Sequence, residues 1–142
     1  MALQVRNINE IIIHCTASKP SSAITTLDVK AWHVKRGFSD IGYHYIIDLD
    51  GRLYHCRPEI EMGAHCKGHN AKSIGIAYIG GLDDVTGKPS DTRTKQQRAK
   101  FDLLLLDICS RHNIYAIRGH DVYADVACPC FNASKEYSHF LP

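Results

Sequence analysis

A short run of β-branched residues, Glu10-Ile-Ile-Ile-His14, most tightly limits how this chain folds. It is uniformly apolar between its ends, and the turn-forming Ser18-Lys-Pro-Ser-Ser22 follows too soon for a helix, so it reads as a buried strand with His14 at its end. Ser73-Ile-Gly-Ile-Ala-Tyr-Ile79 reads the same way, stops at Gly80-Gly81 and leads into a polar, exposed loop through Ser90. Gly42 to Asp48 and Arg52 to Cys56, joined at Asp50-Gly51, form a hairpin with a two-residue turn. Ile114 to Arg118 supplies a further strand.

Helical patterns separate these strands. Leu27 to Arg36, capped by Thr26 and stopped by Gly37, carries Leu27, Ala31 and Val34 at helical spacing. Thr94-Lys-Gln-Gln97 has the form of a capping box, and Phe101, Leu104, Leu105 and Ile108 then share one face of a long helix ending near Arg111-His112. Asn132 caps a last helix to Phe140. Strands alternating with helices predict an α/β layer sandwich, a central mixed β-sheet flanked by helices, as one domain over residues 1–142.

Composition narrows the function. The net charge of +2 is slight and the Lys and Arg residues are scattered, so nucleic acid is not an expected partner. No run approaches the roughly 20 apolar residues that span a bilayer, so membrane residence is not expected either. Met1 to Asn9 lacks the pattern of a secretory signal, which predicts a cytoplasmic protein as synthesised, and a monomer is expected. Nine histidines and six cysteines include the neighbours His14-Cys15, His55-Cys56 and His65-Cys66, which directs attention to a metal site.

Arg118-Gly-His120-Asp and Ala127-Cys128-Pro-Cys130-Phe flank one irregular loop from Gly119 to Pro129. A catalytic zinc takes three protein ligands and keeps one position open. His14, His120 and Cys128 can supply such a set, although spacing alone leaves each histidine open to a hydrogen-bonded structural role. Read in order, Ile-Ile-Ile-His14-Cys-Thr-Ala-Ser-Lys-Pro, Trp32-His, Gly42-Tyr-His-Tyr-Ile-Ile, Asp50-Gly, Ser73-Ile-Gly-Ile, Gly80-Gly-Leu-Asp-Asp, Gly119-His120 and Ala-Cys128-Pro resemble the zinc-dependent N-acetylmuramoyl-L-alanine amidases. The likeness is nearer to the phage amidase-type lysozymes than to the animal peptidoglycan recognition proteins.

That resemblance implies one Zn2+ per chain, held by His14, His120 and Cys128, with Tyr43 as an active-site tyrosine. It implies hydrolysis of the amide between N-acetylmuramic acid and L-alanine, with peptidoglycan or a muropeptide as substrate, in wall lysis or fragment recycling. Zinc held in this way lowers the pKa of its water toward about 7, and a donor such as Tyr43 stabilises charge growing on the carbonyl oxygen. His65 lies in Gly63-Ala-His-Cys-Lys-Gly68, where a contact with substrate and a polar loop position are equally open; His44, His55, His69, His112 and His139 match no ligand position.

The chain departs from the phage-type pattern at Val126, where that pattern has a lysine thought to stabilise the developing charge. Asp125, His65 and Lys67 are candidates to replace it. Val126 also motivates a second reading, a non-catalytic peptidoglycan-binding protein, and the resemblance implies a third, an intracellular regulator that binds a protein partner, since some phage-type relatives have a second role of that kind. Cys130 reads as a packed thiol beside the ligand. Cys56 and Cys66 read as buried thiols, with a second zinc site or a disulfide as alternatives. Trp32 and Tyr45 are expected in the core or cleft wall, and Tyr78 within a strand.

Overall fold

The computed structural model describes residues 6–142; Met1 to Val5, and with them part of the stretch read for a secretory signal, lie outside the described residues. Strands β1 (Glu10–Cys15), β2 (Tyr45–Ile47), β3 (Leu53–His55), β4 (Ser73–Tyr78) and β5 (Ala116–Gly119) form one sheet in the order β3-β2-β4-β1-β5. β1 runs parallel to β4 and β5, β2 is parallel to β4, and β3 is antiparallel to β2, so the sheet is mixed as the alternation predicts. β1 is flanked by strands on both sides, and Ile11, Ile12 and Ile13 are fully buried.

Side chains alternate across a strand, and this divides the sheet into two unequal faces. Ile11, Ile13 and Cys15 join Ile74, Ile76 and Tyr78 in the main core, closed by Phe101, Leu104, Leu105 and Ile108. Those four come from helix α2 (Lys95–Arg111), the face its periodicity picks out. Burying each contributes roughly 1.5–3 kcal/mol. The Thr94 hydroxyl accepts the Gln97 N–H at 3.1 Å and the Gln97 side chain accepts the Thr94 N–H at 2.8 Å, which completes the capping box. The opposite face carries Ile12, His14, Gly75 and Ala77, and helix α1 (Thr26–Lys35) packs over part of it through Val29.

α1 differs from the sequence expectation. It buries Val29 and His33, while Leu27 is 76% and Val34 49% exposed. The reason is a polar contact: His33 Nδ1 accepts the Gly42 N–H at 2.8 Å, so an imidazole takes the inward position that hydropathy assigns to an aliphatic residue. Trp32 turns outward with the exposed face and is neither core nor cleft wall. The cap is Thr25 rather than Thr26, and the Asp28 carboxylate accepts the Thr25 N–H.

Smaller differences follow from local bonding. The hairpin turn is longer than two residues, because the Asp48 carboxylate accepts the N–H groups of Asp50 and Arg52 and stretches the connection across residues 48–52. β5 starts two residues later than expected. The final helix breaks into α3 (Ala133–Glu136) and a 3₁₀ turn, Ser138–Phe140. The break falls at Tyr137, whose hydroxyl accepts from buried Arg93. Arg93 also donates to Asp91 and Glu136 at 2.7–2.9 Å and lies 3.3 Å over the Phe131 ring. Among the described residues no helix is long and apolar enough to cross a membrane.

Candidate metal centre and active-site cleft

Strand register brings the two histidines together. Ile13 pairs with Gly119 across parallel β1 and β5, so His14 and the residue after β5, His120, emerge side by side at the same end of the sheet, ring centroids 4.6 Å apart. The irregular loop after His120 returns Cys128 to them. Its sulfur accepts the Cys15 N–H at 3.1 Å and lies 3.9 Å from His14 Nδ1. The buried Tyr78 hydroxyl donates to the Pro129 carbonyl at 2.7 Å and ties this loop to β4.

One donor atom each of His14, His120 and Cys128 lies within 4.8 Å of the others, the only such His, Cys, Asp or Glu group among the described residues. Two imidazoles and a thiol are a donor set that zinc takes. Burial, reinforced by the neighbouring His65 and His120 rings, holds His14 well below the ordinary imidazole range, and burial lowers His120 too. Both rings are therefore neutral at pH 7, with lone pairs free to bind a cation. The donor set fits a metal ion.

Tyr43 packs against His14, ring centroids 5.0 Å apart. Burial raises its phenol, as do the Cys128 and Cys15 thiols, so it keeps its proton and can donate it in a hydrogen bond. His14, Tyr43, His65 and His120 line a cleft of about 500 Å³, with Arg36 and Lys67 on its walls. A second hollow of about 430 Å³ lies beyond Tyr43 and His120 and includes Cys128 and Val126. Arg36 borders both, a position the sequence reading missed. Its only signal is its place just before Gly37, in the turn that leads to Tyr43. Of the candidates to replace the lysine missing at Val126, Lys67 and His65 line the cleft, whereas Asp125 lines neither hollow.

His65 is buried, and both ring nitrogens meet protein atoms: Nδ1 lies 2.8 Å from His14 Nε2, and Nε2 lies 3.2 Å from Ser73 Oγ. Burial pushes its pKa down to about 3. The other histidines have separate duties or none: His44 accepts the Gly75 N–H, His69 stacks on Tyr123, His112 meets Glu59, and His55 and His139 are exposed. Cys56 and Cys66 are free thiols, which removes the disulfide alternative. Cys130 donates to the Gly81 carbonyl at 3.3 Å as a packed thiol.

This sheet, with its cleft at the strand ends, is the architecture shared by peptidoglycan amidases and recognition proteins. The chain belongs to the N-acetylmuramoyl-L-alanine amidase family, whose model matches residues 4–131. It is 35% identical to the endolysin of Escherichia phage T7, over 93% of this chain and 87% of the endolysin. It is also 35% identical to peptidoglycan-recognition protein SC2 of Drosophila melanogaster, over 88% and 70% of the respective chains. Among solved structures it resembles the amidase LysC from Clostridium intestinale, with a TM-score of 0.78, 30% identity and coverage of 92% and 82%. The protein is accordingly an enzyme of the peptidoglycan amidase class.

Proposed function

We propose that the chain is a zinc-dependent hydrolase that cuts the amide between N-acetylmuramic acid and L-alanine, with His14, His120 and Cys128 as ligands. The observation that carries this reading is the meeting of those three donors at the cleft, inside the segment that matches the amidase family. Zinc bound there supplies Lewis acidity and an activated water at neutral pH. The Cys15 N–H supports negative charge on the Cys128 sulfur. Tyr43 donates its O–H to the oxygen on which charge grows, and Arg36 and Lys67 make the walls attractive to the carboxylates of a muropeptide. Action on the wall follows release from the cell if the chain serves lysis.

Purified protein is expected to release free stem peptides from isolated cell walls, to stop on treatment with a chelator, and to resume on addition of zinc. Wall binding without release by zinc-loaded protein would instead identify a non-catalytic binder. Tyr43→Phe removes the hydroxyl and keeps the ring that packs on His14. Its kcat on a purified muropeptide is expected to fall about 10²-fold, with zinc content and KM nearly unchanged.

A further inference from the structure

The buried contact between His14 and His65 needs one proton on one of two nitrogens, and the groups behind it decide which. Ser73 Oγ lies 2.7 Å from the carbonyl oxygen of His69, which can only accept, so the hydroxyl proton points there. The lone pairs of that oxygen then face His65 Nε2 at 3.2 Å, and Nε2 must carry the ring proton. A neutral His65 protonated on Nε2 presents a bare Nδ1, which accepts from His14 Nε2–H at 2.8 Å. His14 Nδ1 is left unprotonated on the side of the Cys128 sulfur. The opposite arrangement needs the Ser73 proton to turn toward His65 and leaves the His69 carbonyl without its donor.

We infer that Ser73 and His65 are positioning residues, a relay ending on the His69 carbonyl that fixes the tautomer of His14 so that Nδ1 faces the metal position. The surrounding structure is built around this ring. Asn70 Oδ1 accepts the backbone N–H groups of both His65 and Cys66 at 2.9 Å, which holds the loop that carries the imidazole. A Cβ on Gly75 would sit 2.6 Å from the His65 ring, so β4 has a glycine where the imidazole crosses it. The relay rests on the proposed zinc reading for its purpose but not for its existence, since it is made of protein atoms alone.

The direct test is long-range ¹H–¹⁵N NMR of metal-free, histidine-labelled protein. His14 is expected to carry its proton on Nε2 with a bare Nδ1, and His65 likewise to be protonated on Nε2. A proton on His14 Nδ1 would overturn the relay. Zinc affinity, read by chelator competition, gives a second test: His65→Leu is expected to bind roughly 10- to 100-fold more weakly. His65→Asn, whose amide oxygen can stand in for Nδ1 as acceptor, is expected to stay within several-fold of the parent. Equal losses in the two variants, with unchanged circular dichroism, would show that the ring acts by packing and would sink the proposal. A parent protein that takes up no zinc would refute the proposed function, while the metal-free spectrum would still decide the relay.

Discussion

His120→Ala is expected to weaken zinc binding by on the order of 10²- to 10³-fold and to bring stem-peptide release to background. Apparent binding energies of about 10–16 kcal/mol for structural zinc sites with four protein ligands correspond to roughly 2.5–4 kcal/mol per ligand, which converts to about that range. Metal analysis after dialysis against a weak chelator, alongside a cell-wall digestion assay, checks both parts. The fold is expected to survive, because His120 sits past the end of β5 and contributes nothing to the main core. Full activity in this variant would refute the ligand assignment.

A loss of comparable size, in stability rather than chemistry, is expected for Arg93→Ala. The Arg93 side chain has no solvent exposure and bonds two carboxylates and a phenol. Removing it leaves Asp91 and Glu136 without their shared buried cation and opens a hole over Phe131. Breaking a buried pair from one side costs about 3–5 kcal/mol. Asp91 and Glu136 are themselves 25% and 39% exposed, so water recovers part of that and the lower figure applies. A fall of about 3 kcal/mol corresponds to a drop of about 10 °C in Tm by calorimetry. Arg93→Lys is expected to recover little, because a point charge cannot span both carboxylates as a planar fork does. Phe131 follows Cys130 directly, so the variant also loosens the segment that holds Cys128.

What could be read from the chain alone divides by the distance over which the cause acts. The α2 face was readable because Phe101, Leu104, Leu105 and Ile108 repeat at the helical period and Thr94 and Gln97 close a local box. His14, His120 and Cys128 were readable because each lies within a local motif, although their convergence depends on the β1–β5 register. The inward face of α1 was not, since a backbone N–H nine residues away makes a histidine its buried residue. The setting of His65 depends on a partner 51 positions distant, and no local pattern marks that pairing. Arg36 escaped notice for the same reason, as it becomes part of the cleft only once α1 folds over the sheet.

Gly75 lends this architecture a further property. Glycine is among the poorest strand formers, with a penalty of roughly 0.5–1 kcal/mol relative to alanine, yet here it lies inside a buried strand. The bare α-carbon is the floor on which an aromatic ring rests. The end of the sheet where His14, His120 and Cys128 meet is thus supported by a position that offers no functional group, and adding a single methyl there would disturb it through steric bulk alone.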